Sequence, residues 1–179
     1  MSTNERRQAF QIEVLEAWGT SPDDQHFRVS VVACHQSSSP QIATPDGRLP
    51  ELSPSRELSE AYADGRADRH EFLRRYLREL EHHSEQCEWL RSKAGHRGLA
   101  LMVDDDDASR CAAYGMKRHM EHLECQHRWK AGLMIGGYVY PVREKIRQAG
   151  GLWFARHKTW MMPDRESWQY IQSLLPGDF

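Results

Sequence analysis

The sequence predicts an α/β domain followed by a small α+β module, and three observations carry that expectation. Two apolar runs rich in strand-forming residues, Phe27 to Ala33 and Leu99 to Val103, are separated by stretches of helical periodicity, the pattern of helices laid against a small sheet. From Gly136 to Leu175 the chain changes character, with proline and glycine punctuation among crowded aromatic and basic residues. Charge divides at the same place. Residues 1–125 carry 16 Lys+Arg against 22 Asp+Glu, and residues 126–179 carry 8 against 4, so the net charge of -2 conceals -6 followed by +4. A polyanion should therefore meet the C-terminal part first.

These shifts divide the chain into an α/β domain over 1–125, a linker over 126–135 and the basic-aromatic module over 136–179. A chain of 179 residues has the bulk to bury a core without staples. It has no apolar run of eighteen residues and no charged-then-apolar leader, so no membrane span or export signal is expected. Cys34, Cys87, Cys111 and Cys125 are widely spaced with no C-x-x-C pair, which suits reduced thiols in a cytoplasm.

Taken in order, Phe10, Ile12 and Val14 alternate with Gln11 and Glu13 as in a half-buried strand, although the composition also allows a helix. Gly19 to Asp24 reads as a turn and Phe27 to Ala33 as a central strand. A Ser/Pro/Gly-rich loop runs from Gln36 to Pro54. Ser55 or Ser53 can cap a helix holding Leu58 and Tyr62 and stopped by Gly65. Asp68 caps one long helix in which Phe72, Tyr76, Leu80, Cys87 and Leu90 recur at helical spacing. Leu99 to Val103 is a second buried strand, and Ala108 to about Leu123 an amphipathic helix.

The C-terminal stretch reads as a β run at Tyr138 to Tyr140, a helix opened by Pro141, a break at Gly150-Gly151, a hairpin from Leu152 to Met161 turning near Ala155 to His157, and a helix after Pro163. Val142, Ile146 and Ala149 share one face of the first helix, leaving Arg143, Lys145 and Arg147 toward solvent. The hairpin tip adds Arg156, His157 and Lys158. These cations, interleaved with Tyr138, Tyr140, Trp153, Phe154 and Trp160, are what a nucleic-acid surface uses, since cations neutralise phosphates and rings stack on bases. The alternative is that the rings fill a small core beneath a solvated basic face.

The pattern Tyr140-Pro141-Val142-x-Glu144-Lys145-Ile146-x-x-Ala149-Gly150-Gly151-x-Trp153, followed by Lys158-x-Trp160 and Pro163, resembles a small module of plasmid and phage primases, helicases and other DNA-processing proteins. That likeness implies nucleic-acid work and names no reaction. A second resemblance runs through Phe27-Arg28-Val29, Leu52-Ser53-Pro54-Ser55-x-Glu57-Leu58, Glu71-Phe72-x-x-x-Tyr76-x-x-Glu79-Leu80 and Leu99-x-Leu101 followed by acidic residues. Over roughly Phe10 to Leu123 it is similar to the YeaO-like family of small bacterial proteins of unknown function, which implies a Rossmann-like α/β fold. Where that family continues its second strand into Asp-Arg-x-Trp-Pro-Arg-Gly, this chain has Ala33-Cys34-His35-Gln36-Ser37-Ser38-Ser39, and Arg110 stands where the family places a polar residue in its last helix. A family active site built from those positions would be lost here.

Other candidate chemistry is weaker. Cys34-His35 lies at the carboxyl end of a strand, where α/β sheets present ligands, but neighbours on a strand point to opposite faces and His35 is a poor base for Cys34. Asp104 to Asp107 can bind Mg²⁺ or cap the following helix, and capping is the better reading. His119-x-x-His122-x-x-Cys125-x-His127 is the nearest approach to a metal site, yet its spacing matches no zinc pattern; His82-His83 with Cys87 stands lower still. No Walker A loop, dinucleotide fingerprint, Gly-x-Ser-x-Gly elbow or His-Glu-x-x-His helix is present. No cofactor and no metal are expected.

The expectation is a non-enzymatic, cytoplasmic nucleic-acid-binding accessory protein in a mobile-element, phage or defence nucleoprotein complex. Its candidate nucleic-acid contacts are Arg128, Lys130, Tyr138, Arg143, Lys145, Arg147, Arg156, His157, Lys158 and Trp160, and its acidic domain docks a protein partner. Two alternatives stand beside it: an enzyme acting on a nucleotide or small molecule through Cys34, His35 or the Asp104 to Asp107 cluster, and a regulator that binds only protein.

Overall fold

The computed structural model describes residues 12–16, 26–30, 47–94, 98–103 and 106–175. The chain forms two compact units, Gln11–Met120 and Glu121–Phe179.

The first unit is built on a four-stranded parallel sheet of β1 (Ile12–Glu16), β2 (Phe27–Ser30), β3 (Gly47–Arg48) and β4 (Leu99–Val103), in the order β1-β4-β2-β3. Leu99 pairs in register with Ile12 on one side and Phe27 on the other. A central parallel strand is covered on both faces, which is why Leu-Ala-Leu-Met-Val is apolar throughout and buried at all five positions. This is the α/β fold the sequence predicts. Val14 departs from the expected alternation: Ile12 is buried, whereas Val14, two residues on, is exposed. Phe10 and residues 31–33, also read as strand, lie outside the described residues.

Helices α1 (Arg56–Ala63), α2 (Arg69–His82), α3 (Ser84–Ala94) and the first part of α4 (Asp107–Lys130) complete this unit. The expected caps form: Ser55 Oγ accepts from Leu58 N at 3.3 Å and an Asp68 carboxylate oxygen from Glu71 N at 2.8 Å. Gly65 ends α1 with φ +71°. Phe72, Tyr76, Leu80, Leu90, Leu101 and Met116 are buried, and the Tyr76 hydroxyl donates to Leu52 O. Helices α2 and α4 approach closely enough that a Cβ on Gly115 would stand 2.9 Å from the Tyr76 ring.

One expectation is corrected here. The single long helix after Asp68 is two helices, broken at His83, whose φ of -108° and ψ of 36° leave the helical region. The step from Leu80 to Cys87 equals two helical turns, so the apolar period continues across the break and conceals it.

The second unit is a three-stranded antiparallel sheet between helices: β5 (Met134–Ile135), β6 (Leu152–Phe154) and β7 (Thr159–Met161) in the order β5-β7-β6, with α5 (Arg143–Gln148) and α6 (Arg165–Leu174). Its faces follow the period of two. Ile135 and Trp160 pack with Val142, Ile146, Met162 and Ile171 on one side, while Phe154 and Met161 pack with Cys125 of α4 on the other. Ile146 buried and Ala149 half-buried give α5 the inward face the sequence predicts.

Two further readings change. Residues 126–135 are not a linker. α4 runs on to Lys130, Gly132 at φ +69° closes it, and Met134–Ile135 pair with β7. Gly132 N bonds Trp129 O at 2.9 Å and Leu133 N bonds Arg128 O at 3.0 Å, a Schellman termination. The strand expected at Tyr138 to Tyr140 is likewise absent. Gly137 takes φ +79° and Tyr140–Val142 wind into a 3-10 turn around Pro141, so Met134–Ile135 supply the third strand instead. Among the described residues no helix is long and apolar enough to cross a membrane.

Candidate nucleic-acid interface

Within the second unit the segment from Gly137 to Tyr140, helix α5 and the paired tryptophans of β6 and β7 enclose an open pocket of about 450 Å³. It is lined by Tyr138, Tyr140, Arg143, Arg147, Trp153 and Trp160, with Gly137 and Val139. Each side chain arrives for a local reason. Arg143 and Arg147 are one turn apart and share the outer face of α5. Trp153 and Trp160 are directly opposed in the β6–β7 ladder, with ring centroids 5.4 Å apart at 61°. Gly137 and Pro141 turn the backbone so that Tyr138 and Tyr140 project, 74% and 64% exposed.

The break after α5 holds this wall in place. Gly150, at φ +79°, bonds Arg147 O at 2.9 Å, and Gly151 N bonds Ile146 O at 2.8 Å. A Cβ on Gly151 would stand 2.4 Å from Ile146 Cγ2 and 2.8 Å from Ile146 O, so a larger residue there would force α5 or its neighbours to shift.

The cations lie on rings. The Arg143 guanidinium is 4.6 Å from the Tyr140 centroid and that of Arg147 is 5.7 Å from the Trp160 centroid. Arg147 also meets Glu144 at 3.1 Å in an exposed pair. Arg143 makes no ion pair among the described residues, so its charge stays unneutralised at the pocket's rim.

The ten residues expected to contact nucleic acid separate into four groups. Tyr138, Arg143, Arg147 and Trp160 come together in the pocket, where Trp160, 8% exposed, forms wall rather than surface. Arg156, His157 and Lys158 are exposed at the hairpin tip, where His157 stacks on Trp129 of α4 with centroids 4.3 Å apart. Lys130 and Lys145 are exposed and line no part of the pocket. Arg128 is not a surface residue at all. It is 2% exposed, its Nε donates to Glu124 at 2.8 Å, and Nη1 donates to Gly150 O at 2.9 Å and Met161 O at 3.1 Å. Its guanidinium clamps α4 to the turn after α5 and to β7, and satisfying buried carbonyls is the physical reason it is withdrawn from solvent.

Tyr140 and Trp153 belong in the site although only their aromatic character singled them out. The alternation Leu152-Trp153-Phe154 carries the missing signal: it sends Trp153 to the face opposite Phe154. For Arg128 the signal was Glu124 four residues earlier, a helical ion-pair spacing.

The remaining candidates lie elsewhere. Cys34, His35, Asp104 and Asp105 are outside the described residues. Asp106 caps α4, accepting from Ser109 N at 2.8 Å and from Ser109 Oγ at 2.6 Å. Asp107 accepts from the Tyr62 hydroxyl, and that hydrogen bond pushes the Tyr62 pKa up to about 12. Among the described residues no three His, Cys, Asp or Glu side chains are placed to hold a metal ion. Cys125 faces Phe154 and Met161, and His122 lies edge-on to Phe154 with centroids 5.3 Å apart. Burial raises the Cys87 and Cys125 thiols to about 11, which makes both poor nucleophiles.

Residues 43–119 match the family described as domain of unknown function DUF488, inside the stretch that resembles the YeaO-like family. No curated protein and no solved structure matches the chain.

Proposed function

We propose that this protein is a non-enzymatic accessory protein that binds nucleic acid through its C-terminal unit. The observation that carries the reading is the pocket itself, in which the exposed rings of Tyr138, Tyr140 and Trp153 stand beside the Arg143 and Arg147 guanidinium groups. Rings offer a stacking surface to any base, and cations release counterions from the phosphates they neutralise. Lys145, Arg156 and Lys158 are further exposed cations of the same unit, outside the pocket lining. The DUF488-like unit serves as scaffold and as the surface for a protein partner. The likeness of the last forty residues to a module of plasmid and phage primases and helicases supports a mobile-element, phage or defence nucleoprotein complex as the setting.

The test is fluorescence anisotropy with single-stranded DNA, duplex DNA and RNA at two salt concentrations, using the wild type and an Arg143→Glu/Arg147→Glu variant. The expected result is salt-sensitive binding that the variant loses while remaining folded. Absence of wild-type binding at low salt, or full binding by the folded variant, overturns the proposal.

A further inference from the structure

The division of labour among the four pocket rings specifies the ligand more narrowly. Tyr140 and Trp160 each carry a guanidinium group over the ring, at 4.6 Å and 5.7 Å from the centroid. Trp153 meets Trp160 edge-on and is 49% exposed, and Tyr138 is 74% exposed with no ring or cation partner among the described residues. Apolar stacking area is thus available on Tyr138 and Trp153, and positive charge on the neighbouring rings. A volume of about 450 Å³ suits a small-molecule-sized group, whereas a duplex presents its bases edge-on in grooves and keeps their faces in the stack.

We infer that the pocket seats one unpaired nucleobase against Tyr138 and Trp153 with its phosphate directed at Arg143 and Arg147, so that the protein engages unstacked nucleotides in preference to paired duplex. This rests on the nucleic-acid reading of the same site and narrows it. Arg143, with no carboxylate partner among the described residues, takes the larger share of the phosphate, and Arg147 divides its charge with Glu144. The base-and-phosphate chemistry has two possible sources, a single strand or a free mononucleotide, and the strand is favoured because Lys145, Arg156 and Lys158 place further positive charge outside the pocket.

The experiment uses the full chain and four probes: a labelled single-stranded oligonucleotide, the same strand with abasic sites, its blunt duplex and a mononucleotide. Binding is read by anisotropy and by tryptophan fluorescence. The intact strand should bind about 5- to 150-fold more tightly than the abasic strand or the duplex, the cost of a lost base stack. Tyr138→Ala, at a position too exposed to matter for folding, should weaken strand binding within that range with an unchanged salt slope. Arg143→Ala should lower the slope of log K against log salt by about 0.7. Trp153→Phe, which keeps a ring, should retain most of the affinity that Trp153→Ala loses. A mononucleotide that displaces the strand and quenches tryptophan at matched concentration supports the base-and-phosphate chemistry and assigns the free nucleotide as its source. Equal affinity for strand, abasic strand and duplex overturns the inference while leaving nucleic-acid binding intact. Failure of wild type to bind any polynucleotide or mononucleotide removes the underlying reading with it.

Discussion

Both units carry exposed rings with cations over them, Arg69 at Tyr114 and Lys93 at Trp89 in the first, but in the second such rings and cations gather around one pocket. In the α/β unit Phe72 and Tyr76 are buried, and helix arginines sit against carboxylates three or four residues away, as in Arg56–Glu60, Arg74–Glu71 and Arg91–Glu88. In the C-terminal unit Tyr138, Tyr140 and Trp153 are exposed, and Arg143 lies on a ring with no ion pair among the described residues. A cation answered by a carboxylate is locally neutral, whereas one resting on a ring keeps its charge and presents it to a ligand. What distinguishes the second unit is the arrangement of its charge, more than the count: Arg143 and Arg147 converge with Tyr138, Tyr140 and Trp153 on one pocket. Arg128 makes the same point from inside the second unit, since it adds to the positive total yet is consumed by Glu124 and two carbonyls.

The largest effect that sharpens this contrast is on stability. Replacing Arg128 with Met should cost about 3–5 kcal/mol, because Glu124 and two buried carbonyls lose the guanidinium. Denaturant titration measures it, and a variant as stable as wild type would show that Arg128 is not the clamp. Gly151→Ala should cost about 1–3 kcal/mol, since the new methyl group meets Ile146 side chain and backbone, at 2.4 Å and 2.8 Å. Its folded fraction should still bind polynucleotide.

A subtler difference is expected in alkali. Burial raises the Cys87 and Cys125 thiols from 9.0 to about 11, so below the lower value both states hold their protons and stability is intact. Above it the unfolded chain releases protons that the folded chain retains, and stability falls until the folded thiols also ionise. Denaturation midpoints should therefore decline from about pH 9 to about pH 11, and a Cys87→Ala/Cys125→Ala variant should show a smaller decline. The smallest effect concerns Lys158, whose φ of 50° lies in the left-handed region. Lys158→Gly should raise stability by about 1 kcal/mol. If Lys158 meets a phosphate, the variant should also lower the salt slope of binding by about 0.7 to 0.9.

Much of this arrangement was legible beforehand. Sequence and structure agree at the caps Ser55 and Asp68, the apolar strand β4, the Gly150-Gly151 break and the hairpin with its tip at Ala155 to His157, whereas the periods at Val14 and across His83 mislead. Agreement ends where a tertiary partner decides. Gly132 closes α4 because the chain beyond it joins the sheet: Met134 pairs with Met161 of β7, and Met162 N bonds Leu133 O at 2.7 Å, both partners distant in sequence. The two basic groups, pocket and hairpin tip, read as one patch because sequence order says nothing about which ring each cation meets. Arg147 finds Trp160, whereas His157 finds Trp129.

The most direct test of the account is to photocrosslink a single-stranded oligonucleotide carrying a photoreactive base to the intact protein and map the adducts by mass spectrometry. Crosslinks are expected at Tyr138, Tyr140 or Trp153, lost on competition with unlabelled strand and at high salt. Competable crosslinks confined to residues 47–120, with none in 136–161, would contradict it.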